Sequence, residues 1–240
     1  MSFLRAEWRK LALANYEVDP EVLQPFVPAG TELDLWQGRC YVSLVGFMFL
    51  NTRVLGLKVP GHVHFEEVNL RFYVKRMHEG EVRRGVVFIK EIVPLHAITW
   101  VANTLYKEHY QTLPMNHQWV ENSNKRSIQY QWKLKSGWQS FSIDADIPSQ
   151  PLLEGSEAEF ITEHYWGYSQ ISNQRSVEYQ VTHPRWQHYP VQQWEIQVDF
   201  GATYGPHFHF LNTESPTSAM LAEGSSITVE KRTLFTPSLP

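Results

Sequence analysis

From Glu67 to Lys75 the chain alternates without interruption: Val68, Leu70, Phe72 and Val74 fall on one side, and Glu67, Asn69, Arg71, Tyr73 and Lys75 on the other. A period of two is that of a β-strand, whose side chains project to opposite faces in turn. The apolar side reads as core. The polar side carries a carboxylate, an amide, a guanidinium and a phenol spaced about 7 Å apart, twice the rise per strand residue. Such a row fits either the lining of a polar pocket or a solvated sheet face.

The rest of the chain punctuates into further short elements. Asn15 to Leu23 predicts a strand end running into a short helix, with Asp19 as N-cap and Pro20 at the first helical position. Thr31 to Leu35 and Arg39 to Phe49 predict a hairpin turning at Trp36-Gln37-Gly38. Residues 51 to 65, with Gly56, Pro60 and Gly61, predict a loop that could cover a site. Gly85 to Val93 is apolar on both faces, which predicts a strand covered on both sides and ended by Pro94.

Apolar positions from Leu95 to Tyr110 follow the helical period and predict one amphipathic helix. Ser127 to Leu134 and Trp138 to Asp144 predict a second hairpin, and Ser156 with Glu159 a capping box opening a helix to about His164. Strands are expected at Ser176 to Thr182 and Val191 to Phe200, and a frayed tail at Thr236 to Pro240. Strands dominate and do not alternate regularly with helices, which disfavours a doubly wound parallel fold. The expectation is an α+β fold, mainly antiparallel, with a curved barrel-like sheet and flanking helices in a single domain over residues 1 to 240.

Composition narrows the classes. Charged residues make up 19% and aromatics 14%, so there is ample material for a core. The net charge of −4 and the scatter of Lys and Arg offer no field to gather nucleic acid. Charges interrupt Met1 to Lys10, so no export signal is visible, and the oiliest run, Tyr41 to Leu50, is too short for the roughly 20 residues of a bilayer helix. No membrane association is expected. The single cysteine, Cys40, excludes an internal disulfide and a cysteine-based zinc site, which fits a reducing, cytoplasmic setting. No Gly-x-Ser-x-Gly elbow or nucleotide-binding glycine fingerprint is present, so neither a serine nucleophile nor a nucleotide cofactor is expected.

Two groups of side chains suggest chemistry. Lys90 sits between Phe88 and Ile92 on an otherwise apolar strand. A desolvated amine loses its proton more readily and can attack a carbonyl to form an imine. A snorkelling or ion-paired lysine, with Glu67 or Glu91 as partner, is the alternative. His62-x-His64 and His207-x-His209 each put two imidazoles on one face of a strand, but a metal needs at least one more ligand. Glu66 and His183 could supply one only through folding, and no metal is expected.

Several segments together resemble the YqjF-like family of uncharacterised bacterial proteins. They are Tyr16 to Leu33 (YEVDPEVLQPFVPAGTEL), Gly38 to Phe47 (GRCYVSLVGF), Phe65 to Val74 (FEEVNLRFYV), Gly85 to Phe88 and Leu113-Pro114-Met115, with looser likeness through Ile161 to Tyr168 and His183 to Trp186. That family is similar at a distance to acetoacetate decarboxylase, which implies an antiparallel, barrel-like structure with an interior cavity. The decarboxylase's imine-forming lysine belongs to a Phe-Pro-Lys-Lys pattern after a helix. Here the comparable stretch is Leu113-Pro114-Met115-Asn116, with a thioether and an amide where the amines would stand. Its substrate-binding arginine belongs to a Tyr-Arg-Thr-Asp pattern, matched here by Tyr16-Glu17-Val18-Asp19 with the charge reversed. Its pocket glutamate, in a Tyr-x-Glu pattern, is matched by Glu67.

Acetoacetate decarboxylation is therefore not expected. The leading expectation is a cavity that accepts a small polar or carboxylate-bearing molecule at Asn69, Arg71 and Tyr73, with Glu67 as acid or base and Met115 and Glu17 as neighbours. A Schiff-base lyase or aldolase using Lys90 is the second reading, and a non-catalytic structural or interaction module the third. Pairing of two copies through exposed edges is a general expectation for such sheets.

Overall fold

The computed structural model describes residues 2–123 and 125–236; residues 237–240, most of the expected frayed tail, lie outside the described residues. Strand β1 (Leu4–Val18) opens the chain and ends where Asp19 caps helix α1 (Pro20–Leu23), accepting from the Glu21 amide at 2.9 Å. Strands β2 (Glu32–Leu33), β3 (Cys40–Val54), β4 (Phe65–His78) and β5 (Glu81–Val93) follow. Helix α2 (His96–Val101) leads to β6 (Tyr110–Thr112), β7 (Met115–Glu121), β8 (Arg126–Leu134), β9 (Gly137–Ala145) and β10 (Gln150–Pro151). Helix α3 (Glu157–Thr162) precedes β11 (Trp166–Ser172), β12 (Arg175–Thr182), β13 (Gln187–Tyr189) and β14 (Val191–Gln197). Helix α4 (Phe200–Tyr204) and strands β15 (Ser218–Val229) and β16 (Thr233–Phe235) complete it.

Hydrogen bonding runs β15, β1, β3, β4, β5, β11, β12, and β12 pairs back onto β15 at Val181↔Val229 and Thr182↔Thr228. The curved sheet thus closes on itself as a ring. Along the ring all junctions are antiparallel except β5 to β11, which run parallel at Gly85↔Trp166 and Val86↔Gly167; off the ring, β6 also pairs in parallel with β5. This is the mainly antiparallel, strand-rich architecture with few helices that the sequence predicts.

A second sheet, ordered β14, β9, β8, β7, lies against the outside of the ring. Its Ile128, Tyr130, Trp132, Phe141 and Ile143 pack in one core with Val68, Leu70, Phe72 and Val74 of β4. The apolar face of the alternating strand therefore looks outward into a core between two sheets, and its polar face looks into the ring. Burial of both faces removes the solvated reading: Glu67 is 2%, Asn69 1%, Arg71 8% and Tyr73 1% exposed.

Several elements differ from expectation. The first predicted hairpin is not one: β2 shrinks to Glu32–Leu33 and pairs with β4 at Glu32↔Lys75, although Trp36 and Arg39 still close the predicted turn through amide bonds of 3.0 and 2.9 Å. The predicted helix from Leu95 to Tyr110 is shorter, because α2 widens into a π-helical segment, Ala102–Tyr106, and stops at Lys107 in a left-handed conformation. The Asn103 amide then bonds both backbone groups of Tyr110, at 2.7 and 2.9 Å, as a neighbouring strand would, and turns the chain into β6. The predicted last strand ends at Gln197, since Asp199 caps α4 by accepting from the Ala202 amide. His207 and His209 lie in a 3-10 turn, Pro206–Asn212, where residues three apart and not two share a face.

Candidate functional site

Inside the ring is a pocket of about 330 Å³. Its upper wall is aromatic: Trp8 meets Phe47 edge-on at 5.3 Å, and Phe49 stacks on Phe65 at 4.7 Å. Val59 and His62 from the loop before β4 and Ile98 and Val101 from α2 close over it. The predicted covering loop is therefore present, shortened to residues 55–64 because β3 continues to Val54.

The floor is polar and comes from the alternating row. Glu67, Asn69 and Arg71 line the pocket in strand order. Glu67 accepts from the Asn69 amide at 3.0 Å and from the Tyr110 hydroxyl at 3.0 Å. Arg71 donates to the Ile161 carbonyl at 3.2 Å, and its Nε is buried with no partner among the described residues. The Arg71 guanidinium also lies over the Tyr73 ring at 5.7 Å. Tyr73 itself sits beyond the pocket's end, between Phe160 and His164, with its hydroxyl 2.7 Å from Ser43.

The structure brings in two carboxyls that sequence reasoning did not assign to the site. Glu91 stands directly across the ladder from Asn69, and Glu108 accepts from the Tyr179 hydroxyl at 2.8 Å. Both line the pocket, 2% and 6% exposed. Gly167 permits the Tyr179 contact, because a Cβ there would run into the Tyr179 ring. Burial pushes the Glu67 carboxyl up to about 7, against the hydrogen bonds of Asn69 and Tyr110 and the charge of Arg71, which pull it down. Burial, with Glu67 nearby, pushes Glu108 to about 8. Glu91 rises well above the usual carboxylate range through burial and the charges of Glu108 and Glu67. Carboxyls in this state hold protons near neutrality and can act as acids as well as bases.

His164 and Thr162, at the end of α3 and beyond it, also line the pocket. His164 Nε2 is 3.1 Å from an Asp34 carboxylate oxygen, which requires that nitrogen to carry the proton and leaves Nδ1 as a buried acceptor with no partner. Burial lowers the His164 pKa to about 4, so the imidazole is neutral at physiological pH. Arg84 bonds the same Asp34 oxygen at 2.6 Å.

The remaining candidates lie elsewhere. Lys90 does not line the pocket, and a β-bulge is the reason. Leu70 pairs with Lys90 but Arg71 pairs with Phe88, so Ile89 is an extra residue that reverses the facing of the strand. Phe88 and Glu91 therefore point into the pocket while Lys90 points out, where its ammonium donates to the Thr203 carbonyl. Burial lowers the Lys90 pKa. Met115 begins β7 in the second sheet and packs into the outer core, and Glu17 is exposed and pairs with Arg39 at 3.8 Å. Glu66 faces away from the pocket row and sits 2.6 Å from His117. Among the described residues no three His, Cys, Asp or Glu side chains are grouped to hold a metal ion, and no helix is long and apolar enough to cross a membrane.

The mainly antiparallel, ring-like sheet with few helices is a fold shared with solved structures of acetoacetate decarboxylase-like enzymes. The fold is similar to that of acetoacetate decarboxylase from Legionella pneumophila, with a TM-score of 0.66 at 15% identity over 99% of this chain and 88% of that one. It is equally similar to the enduracididine biosynthesis enzyme MppR, with a TM-score of 0.68 at 13% identity over 98% and 89% of the two chains. An acetoacetate decarboxylase-like enzyme from Sphingomonas wittichii RW1 gives 0.65 at 10% identity over 99% and 95%.

Within that fold, the chain belongs to the family DUF2071, uncharacterized conserved protein, whose model matches residues 5–226. It is 39% identical over 72 residues to uncharacterized protein YqjF of Bacillus subtilis (strain 168); the match spans 30% of this chain and 30% of that relative's length.

Proposed function

We propose that this protein binds a small organic molecule bearing a carboxylate inside the ring, with the Arg71 guanidinium as anchor and the Glu67 carboxyl as the proton donor or acceptor on the same strand face. The observation that carries this reading is Arg71 itself: a cation 8% exposed on a pocket wall that, among the described residues, makes no ion pair and has a buried Nε–H without a partner. A planar guanidinium offers paired donors that match a carboxylate, and leaving it unmatched costs free energy that a ligand would recover. Trp8, also on the wall, adds at its Nε1 a second buried donor without a partner among the described residues.

The chemistry available at such a site is proton transfer. Glu67, near neutrality half protonated, stands on the same strand face as Arg71, two positions beyond Asn69. A substrate held at Arg71 would reach Glu67 with atoms farther along its chain, since the two residues stand four strand positions apart, about 13 Å along β4. The related fold in MppR has been solved in complex with pyruvate, a carboxylate of this size class. An imine route finds no support, because the described residues lining the pocket include no lysine.

Thermal-shift measurements with short carboxylates and 2-oxo acids test the reading, since a ligand that binds only the native state raises its apparent stability. Wild type is expected to gain several degrees with at least one such acid, and Arg71→Gln to lose that gain. No shift with any of them, or an equal shift in Arg71→Gln, would contradict it.

A further inference from the structure

The donors left over in the pocket, at Arg71 and Trp8, call for an acceptor on the ligand, but the middle of the floor, around Asn69, presents unpaired acceptor oxygens instead. Asn69 Oδ1, one oxygen of Glu91 and one oxygen of Glu108 are buried and without hydrogen-bond partners among the described residues. They are not scattered. Asn69 and Glu91 face each other across the β4 to β5 ladder, and the Glu91 amide bonds the His109 carbonyl at 3.2 Å, which sets Glu108 close by. The hydroxyls at hand are already committed, Tyr110 between Glu67 and Glu91 and Tyr179 to Glu108. The Arg71 guanidinium is spent on the Ile161 carbonyl and the pocket beyond.

Native proteins rarely leave buried acceptors unpaired, and a group of them on a cavity wall marks the place of a ligand's donors. An ammonium has three N–H donors and a positive charge, which suits an amide oxygen flanked by two carboxyls better than a hydroxyl or a carbonyl would.

Resting on the carboxylate reading above, we infer that the ligand is an aminocarboxylic acid, whose ammonium is seated by Asn69, Glu91 and Glu108 while Arg71 holds its carboxylate. The charge arrangement supports this. Three carboxyls and one guanidinium share the floor, and a cation seated there favours the ionised form of a carboxyl that burial otherwise keeps protonated. The carboxyl that meets the ammonium gives its proton to solvent, and the ion pair replaces a neutral acid.

Calorimetric titration of the full chain at pH 7 with pentanoate, pentylamine, 2-aminopentanoate and 5-aminopentanoate tests it, because the four share a carbon chain and differ only in their charged ends. One of the two aminopentanoates is expected to bind at least about tenfold more tightly than pentanoate, the scale of one charge-assisted hydrogen bond. Glu91→Gln and Glu108→Gln are expected to erase that advantage; if either variant misfolds, the wild-type series alone decides. Pentanoate binding as tightly as both amino acids would overturn the ammonium seat and leave the carboxylate reading standing. Pentylamine binding with pentanoate silent would overturn the carboxylate anchor and keep the seat. Binding by none of the four would overturn both.

Discussion

The Tyr110 hydroxyl donates to the Glu67 carboxyl at 3.0 Å, tying the short strand β6 to the pocket floor on β4. Removing the donor leaves a buried carboxyl oxygen unpaired, which costs about 1–3 kcal/mol. Tyr110→Phe is therefore expected to lower the unfolding free energy by that amount in urea titrations. It should also raise the Glu67 pKa above about 7, because this bond favours the charged form. Unchanged stability would show that the bond is not made in solution.

Stability should fall as pH rises from about 4.5 to about 8. Glu67 and Glu108 hold their protons in the folded state up to about 7 and about 8, whereas the unfolded chain releases them near 4.5. Their contribution is fully present below 4.5 and is lost as pH rises through 7 to 8. His164, lowered from 6.5 to about 4, works the other way and loses its contribution as pH falls through that interval. Between pH 6.5 and 8.5 His164 is past its interval and the carboxyl limb dominates, so Tm is expected to drop, by about 2–4 °C per kcal/mol lost in a chain of this size. Glu108→Gln, neutral at every pH, should lessen the drop, with Glu67 and Glu91 left to contribute. A Tm that is level or rising over this range in wild type would contradict the buried-carboxyl account.

Lys90 should be silent toward carbonyl compounds in the pocket. Its ammonium bonds the Thr203 carbonyl on the far side of β5. Borohydride reduction in the presence of pyruvate, followed by peptide mass mapping, is expected to yield no adduct at Lys90. Lys90→Met is expected to leave carboxylate binding unchanged. A reduced pyruvyl adduct on Lys90 would reverse this assignment.

Ring closure depends on Gly85. At the parallel junction of β5 with β11 a Cβ on residue 85 would lie 2.5 Å from the Trp166 carbonyl oxygen, a backbone atom that cannot rotate away. Gly85→Ala should cost about 1–3 kcal/mol by overpacking, and more if the junction opens. Chemical denaturation reads this directly. A neutral substitution would mean that β5 and β11 do not meet as described.

The sequence was most informative where a simple period held. The alternation around Asn69 and Arg71 announced a core face and a polar face, leaving open whether the polar one met a pocket or solvent, and it held because β4 runs without a bulge until its partner strand slips. The same rule misplaced Lys90, since one extra residue at Ile89 inverts the facing and carries Glu91 inward in its place. A carboxylate in a strand otherwise apolar on both sides was the available signal for Glu91. Glu108 had none, as it follows the left-handed Lys107 in an irregular stretch that helical periodicity had absorbed. His164 was legible only as a helix end. Its place beside Asp34 depends on a contact between residues 130 apart in the chain, which no local pattern encodes.

Diffraction from crystals soaked in 4-bromobutanoate, collected at the bromine absorption edge, tests the central claim most directly. The account predicts one anomalous peak inside the ring with the carboxylate oxygens within hydrogen-bond distance of the Arg71 guanidinium, and no such peak in Arg71→Gln crystals. A bromine site confined to the outer surface, or one inside the ring with the carboxylate turned away from Arg71, would contradict it.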